Sequence, residues 1–259
     1  MRDDREIQEW SESFVSMAKS LVGRSRIAQP PIDPAQLAKL QGVQRIILSS
    51  SLSGSGRLVR IGPELAIVLN KSESRERRNF TCCHEIAHTF ALQGSAEKLR
   101  ASGSIECDQS SVEEDLCDRA AAEMLMPECL FRRHAETLEP SIDSVLSLSK
   151  SFGASIRATM VRLGALSCWR AVFSVWRFAA TLGSAKRLRV AWSVRPAPLR
   201  CFVPRHASVD PTSSIYATFV TGHRSLRQEA FSLGSLRGSH LVESARFGDH
   251  VVSIVHRPT

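Results

Sequence analysis

The sequence contains few aromatic residues and no long apolar run. Aromatic residues make up 6% of its 259 residues, with Tyr216 as the single tyrosine, so no aromatic cluster that would stack on RNA bases is indicated. No stretch of eighteen apolar residues occurs, which argues against a membrane-spanning helix and a membrane partner. The first six residues, MRDDRE, are mostly charged, so we expect no secretory signal.

The sequence also lacks a regular cysteine framework. It contains seven cysteines, an odd number without regular spacing, and we therefore expect free thiols in a reducing, cytoplasmic setting. The apolar fraction of 43% and the charged fraction of 23% are typical of a globular protein. The length is compatible with one large domain or with two domains of moderate size.

Acidic residues are scarce in the C-terminal part of the chain. Residues 151–259 contain 15 basic and 4 acidic residues, a balance of +11, whereas residues 1–150 contain 19 basic and 22 acidic residues, a balance of −3. This shift indicates a boundary near residue 150 and makes nucleic acid a candidate partner of the basic half. The alternative is that the arginines solubilise a small β-rich module.

The first 90 residues predict a mixture of helices and strands. An amphipathic helix is expected at residues 6–22, and a second helix that Asp33 caps and Pro34 opens. Strands are expected at residues 43–48, 57–61 and 65–70, with residues 49–56 as a hairpin loop. Residues 93–111 lack periodicity and indicate a surface loop.

Beyond residue 140 the apolar pattern changes its period. Residues 140–166 predict two short helices, and short apolar segments predict strands at residues 168–178, 187–194, 215–220 and 250–255. The expected fold class is α+β. We divide it into an N-terminal α+β domain at residues 1–139, a helical extension at 140–166 and a smaller β-rich domain of unassigned role at 167–259.

The segment HEIAH, at residues 84–88, places two histidines four residues apart on an expected helix. Side chains at this spacing lie on one face of the helix, about one turn apart. Both imidazoles can therefore bind one Zn²⁺ ion, and Glu85 can reach a water on that ion. The alternative is that His84 and His88 make ordinary hydrogen bonds.

An acidic helix at residues 111–126 offers the further groups that a catalytic zinc site needs. Such a site requires a third protein ligand and one open position for water. Glu114 and Asp118 are four residues apart and share a face of this helix. One carboxylate can bind the metal while the other accepts the free N–H of a ligand histidine.

Four nearby residues receive structural interpretations. Ser110 and Glu113 have the spacing of a capping box, which would occupy Glu113 at the helix start. Cys82 and Cys83 point about 200° and 100° away from His84 around the helix. We therefore expect both cysteines to be buried packing thiols.

Two segments resemble the ImmA/IrrE family of metallo-endopeptidases. RRNFTCCHEIAHTFAL at residues 77–92 resembles the RxxFTxxHExxH helix of that family. EDLCDRAAAEMLMP at residues 114–127 resembles its E-x-x-A-[ND]-x-F-A-A-E-L-L-M-P helix. The sequence departs from this pattern at Cys117, where the family has alanine, and at Ala120, where it has phenylalanine.

The resemblance implies a zincin-like, zinc-dependent endopeptidase. His84, His88 and Glu114 would bind Zn²⁺, Glu85 would be the general base, and Asp118 would support a ligand histidine. The implied substrate is a specific intracellular protein, with a helix-turn-helix repressor of stress or mobile-element genes as the candidate.

A second interpretation belongs to a different class of protein. In it the zinc is structural or weakly active, and the basic C-terminal half binds nucleic acid or a partner protein. The helices of residues 140–166 have a helix-turn-helix shape with Arg157 and Arg162 on the second helix, although packing is the favoured role. For the oxyanion of the peptidase reaction, His134 and Arg78 are candidates from their sequence positions alone.

Overall fold

The computed structural model describes residues 4–91, 111–180, 186–199 and 203–256. They form two compact units, and the mixed α+β character with a β-rich C-terminal region is confirmed. The first unit combines the chain up to Phe131 with Ser149–Ser155, and the second combines Arg132–Leu148 with the chain from Ile156 onward. The domain limits at 139 and 166 stay a prediction. Among the described residues, no helix has the length and hydropathy that a membrane span requires.

The first unit contains helices around a small sheet. Its elements are α1 (Asp4–Ser25), α2 (Pro34–Leu40), β1 (Val43–Ser49), β2 (Gly56–Ile61), β3 (Glu64–Asn70), α3 (Arg75–Phe90), α4 (Ser111–Leu125) and the start of α5 (Glu128–Ala135). The predicted cap of α2 is confirmed, because Asp33 Oδ1 accepts a hydrogen bond from Ala35 N at 2.9 Å. The predicted loop at 93–111 lies outside the described residues, except for Ser111, which begins α4.

The strand order of this sheet is β1-β3-β2, with β1 parallel and β2 antiparallel to β3. The prediction of a hairpin loop at residues 49–56 is therefore wrong, since the two strands that this segment joins are not neighbours. The hairpin lies instead between β2 and β3. Its turn is at Gly62, whose φ of 60° favours glycine. As a result β2 lies at one edge of the sheet.

The core of the first unit lies where α1, α3 and α4 pack together. Phe14 of α1 meets Phe90 of α3 edge to face, with ring centroids 6.0 Å apart. Ala120 and Ala121 are fully buried on α4, and their small side chains allow close approach to a neighbouring helix. This packing fixes α3 and α4, the two helices that carry the predicted metal site.

The second unit is built on a five-stranded antiparallel sheet. Its elements are most of α6 (Ile142–Phe152), α7 (Ile156–Ala165), β4 (Ala171–Ala179), β5 (Arg187–Val194), α8 (Ser214–Thr221), β6 (Ser225–Leu233), β7 (Leu236–Phe247) and β8 (His250–His256). The strand order is β5-β4-β8-β7-β6. Trp176, Val190, Val242 and Val251 are among the side chains buried in its core.

One predicted strand in this unit is wrong. Residues 215–220 form most of α8, which Ser213 caps by accepting a hydrogen bond from Ile215 N at 3.2 Å. Gly222 ends the helix with a φ of 76°, and its N–H bonds to the Thr218 carbonyl at 3.0 Å. The sequence analysis also missed β6 and β7, whose residues alternate less clearly between apolar and polar.

The helices α6 and α7 confirm the two predicted helices of residues 140–166. On α7, however, Arg162 is buried, with 8% of its surface exposed. The guanidinium carbon of Arg157 lies 5.2 Å from the ring centroid of Trp192, a cation–π contact. Arg162 therefore serves packing within the second unit, whereas Arg157 is exposed and contacts Trp192.

Candidate metal centre

Helix α3 positions both histidines and the glutamate of the HEIAH segment. Ser74 caps this helix by accepting a hydrogen bond from Arg77 N at 3.2 Å. Cys82 and Cys83 are buried on its packed side, as predicted. Burial raises the pKa of the Cys82 thiol to about 12 and that of Cys83 well above its usual range. Both cysteines are therefore uncharged packing groups at neutral pH.

Helix α4 packs against α3 and brings Glu114 to the two histidines. The Nε2 atoms of His84 and His88 lie 3.2 Å apart. Glu114 Oε2 lies 3.1 Å from His84 Nε2, and Glu114 Oε1 lies 3.6 Å from His88 Nε2. The structure thus brings together the three residues for which the sequence predicted a common metal ion.

The other ring nitrogen of each histidine faces a second carboxylate of α4. His84 Nδ1 lies 2.8 Å from Asp118 Oδ1, which is the contact predicted for Asp118. His88 Nδ1 lies 3.3 Å from Glu113 Oε1 and 3.5 Å from Cys117 Sγ. The contact of Glu113 was missed, and its predicted capping partner, Ser110, lies outside the described residues.

When each ring is neutral, these contacts favour a proton at Nδ1. A neutral histidine that donates its Nδ1–H to a carboxylate keeps a free lone pair at Nε2. With Asp118 and Glu113 as acceptors, both Nε2 lone pairs point toward the carboxylate of Glu114. Three electron-pair donors, one from each residue, then lie within 4.8 Å of one another, an arrangement that a cation between them would stabilise.

The size of this cluster fits a zinc ion. Ligand atoms about 2.0–2.2 Å from a tetrahedral Zn²⁺ lie about 3.3–3.6 Å from one another. The two Nε2 atoms lie 3.2 Å apart, and one ligand atom from each of the three residues lies within 4.8 Å of the others, so the three side chains are close enough to share one ion. In addition, Glu114 Oε1 is buried and accepts no hydrogen bond within the described part of the chain. A metal ion would satisfy this oxygen.

Glu85 lies beside the cluster but is held by the sheet. Its side chain is buried, and its Oε2 accepts a hydrogen bond from Leu58 N on β2 at 2.7 Å. Burial raises the pKa of Glu85, and the nearby His88 and His84 imidazoles only partly oppose that rise. A carboxylate with a raised pKa is a stronger base than an exposed one, as a general base requires.

The protonation of His84 reflects the same surroundings. Burial acts to lower the pKa of His84, but the hydrogen bond to Asp118 and the charges of Asp118, Glu114 and Glu85 together raise it above its ordinary value. These negative charges favour a positive charge at the ring, whether a proton or a metal ion supplies it.

Two further residues from the sequence analysis have structural contacts. Arg78 donates from Nη1 to the carbonyls of Lys71 and Glu73, at 3.3 and 2.5 Å. This contact fixes the loop before α3 and argues against Arg78 as the oxyanion partner. His134 belongs to the second unit, and its role stays a prediction.

The fold is mixed α+β, and its first unit carries a cluster of His84, His88 and Glu114 that could hold a metal ion. Residues 41–164 match the model of a peptidase family that is described as the IrrE N-terminal-like domain. This part of the chain belongs to that family, which confirms the resemblance found in the sequence.

Comparison with solved structures finds a similar fold along nearly the whole chain. A Mycobacterium tuberculosis transcriptional regulator matches with a TM-score of 0.62 and 14% sequence identity, covering 97% of this chain and 79% of that one. At this identity the likeness shows the fold alone. A search of curated proteins finds no significant match.

Proposed function

We propose that the chain is a zinc-dependent endopeptidase. The observation that carries this proposal is the convergence of His84 Nε2, His88 Nε2 and the Glu114 carboxylate at one place, next to the buried carboxylate of Glu85. Membership of residues 41–164 in a peptidase family supports the same chemistry.

In the proposed site His84, His88 and Glu114 hold Zn²⁺, with Asp118 and Glu113 orienting the two imidazoles. The zinc would supply Lewis acidity, which makes a water more acidic and polarises a peptide carbonyl. Glu85 accepts the proton of the attacking water and then transfers it to the amine that leaves. The peptide bond breaks, and one water molecule is consumed.

The proposed substrate is a specific intracellular protein, with a helix-turn-helix repressor as the candidate. This choice rests on the ImmA/IrrE resemblance. The similar Mycobacterium tuberculosis structure is described as a transcriptional regulator, which is compatible with a role in regulation. The excess of basic residues in 151–259 would favour an acidic surface on the substrate.

The alternative is a regulatory protein whose zinc is structural and whose basic half binds nucleic acid or a partner protein. The burial of Arg162 argues against DNA recognition by α7 through that residue. The two proposals differ in what Glu85 must do. Only the peptidase requires its carboxylate as a base.

The test compares the wild-type chain, loaded with zinc, with Glu85→Gln. A library of peptides from a digested bacterial proteome serves as the probe, and mass spectrometry identifies the new termini. We expect the wild type to cleave a small set of peptides, and Glu85→Gln to cleave them about 10²–10⁴-fold more slowly because the amide is not a base. Zinc content should be equal in both.

Glu76→Gln is the matched control, because it makes the same change in the first turn of α3, away from the cluster. It should cleave at the rate of the wild type. Cleavage by Glu85→Gln at that rate would exclude Glu85 as the base. A wild-type chain that binds zinc but cleaves nothing, while binding DNA or protein equally well with and without the substitution, would favour the alternative.

A further inference from the structure

The edge strand β2 contacts the proposed base directly. In an antiparallel pair, alternate residues of the outer strand direct their N–H groups away from the ladder. Leu58 uses its N–H for Glu85, donating to Oε2 at 2.7 Å. The sheet thereby fixes one carboxylate oxygen of Glu85 through a backbone group, which no side-chain rotation can displace.

The approach of β2 to α3 is close enough to require a glycine. A Cβ atom at Gly56 would lie 2.4 Å from Thr81 Cγ2, and 3.2 and 3.3 Å from Glu85 Oε1 and Cγ. Thr81 is buried, so its methyl group has little room to move. Thr81 and Glu85 are four residues apart and present one face of α3 to the strand.

We propose that Gly56 and the N–H of Leu58 form a positioning device for Glu85. Gly56 allows the strand backbone to lie against the helix, and Leu58 then holds Oε2. Oε1 is left as the atom that takes up and releases the proton. The catalytic part of this inference rests on the proposed peptidase function. The contact between Leu58 and Glu85 does not depend on that function.

Displacement of a catalytic group by about 1 Å lowers rates by about 10²-fold. A side chain at position 56 should therefore affect the rate constant of the reaction rather than substrate binding. Gly56→Ala alone would also strain the core, because its new methyl group meets Thr81 Cγ2. The double substitution Gly56→Ala with Thr81→Ser removes that collision and keeps the crowding of Glu85.

The test measures kcat and KM on a fluorogenic form of the best-cleaved library peptide. The double variant is compared with Thr81→Ser alone. We expect a kcat at least about 10-fold lower, a KM within about 2-fold, and unchanged zinc content and Tm. Equal kcat values for the double variant and Thr81→Ser would overturn the proposal, since the crowding of Glu85 would then have no effect.

A second measurement does not depend on activity. In the wild type the Leu58 amide should be protected from hydrogen exchange, although it lies on an edge strand. Glu85→Ala should raise its exchange rate at least about 10-fold relative to the Val59 amide, which reports on the stability of the strand. An unchanged Leu58 rate would overturn the positioning contact.

The two proposals can fail separately. If the wild type cleaves no peptide but Leu58 loses its protection in Glu85→Ala, the peptidase function is refuted and the contact stands. If the wild type cleaves and Leu58 exchange is unaffected by Glu85→Ala, the function stands and the positioning device is refuted. If the double variant does not fold, the exchange measurement still decides whether Leu58 holds Glu85.

Discussion

At the scale of single residues, each of the two histidines contacts carboxylates at both ring nitrogens. Helix α4 supplies all of them, with Glu114 toward the two Nε2 atoms, Asp118 toward His84 and Glu113 toward His88. In neutral rings this arrangement favours the tautomer with the proton at Nδ1, whose Nε2 lone pair can bind a metal ion.

The sequence predicted only part of this arrangement. The spacing of Glu114 and Asp118 placed both carboxylates on one face of a helix, and the family resemblance then implied the contact of Asp118 with a ligand histidine. Glu113 was assigned to a capping box, because capping is a local pattern that a sequence displays. Its contact with His88, like that of Leu58 with Glu85, depends on how separate elements pack. No spacing along the chain encodes such a contact.

Removal of either supporting carboxylate should weaken zinc binding. We expect Asp118→Asn and Glu113→Gln each to lower the zinc affinity about 10–100-fold, because the acceptor that orients a ligand histidine loses its charge. The effect of Asp118→Asn should lie nearer the lower end, because 58% of its side-chain surface is exposed. Competition titration with a zinc-binding dye measures both affinities.

Asp115→Asn provides the control for this pair. Asp115 lies on the same helix and is exposed, so its loss of charge should change the affinity far less. If Asp115→Asn weakened zinc binding as much as the other two variants, the effect would be one of net charge alone. The orienting role of Asp118 and Glu113 would then be refuted.

At the scale of elements, six of the seven strands predicted from the apolar pattern are correct, and only residues 215–220 were assigned to the wrong kind of element. The periodicity of residues 6–22 correctly indicated α1. The apolar run at residues 215–220 is too short to distinguish a strand from a buried helix, and α8 forms because Ser213 and Gly222 provide its two ends. Glu229 Oε2 adds a hydrogen bond from Ser214 N at 3.0 Å, a contact between elements that periodicity does not reveal.

The N-terminal cap of α8 should have a measurable effect on stability. Ser213→Ala should lower the free energy of unfolding by about 0.5–2 kcal/mol, because Ile215 N loses its acceptor. Ser213→Gly should cost only a few tenths of a kcal/mol, since water can reach the helix end more easily. Urea denaturation of the full chain, followed by circular dichroism, compares the two. Equal stabilities of both variants and the wild type would contradict the assigned cap.

At the scale of the whole molecule, neither compact unit is one continuous segment of the chain. Residues 149–155 pack with the first unit, although the segments on both sides of them belong to the second. A charge count along the sequence detects the basic character of residues 151–259 but not this interleaving. The proposed chemistry, in contrast, lies within the first unit, because the three candidate ligands and Glu85 all belong to it.

The central claim is that His84, His88 and Glu114 hold one zinc ion, and metal analysis of the intact chain tests it most directly. The chain and its Glu114→Ala variant are loaded with zinc, dialysed and measured by inductively coupled plasma mass spectrometry, with Glu76→Gln as the control. We predict about one zinc per chain for the wild type and the control, and a large loss for Glu114→Ala. Equal zinc content in Glu114→Ala and the wild type, or none in the wild type, would contradict the claim.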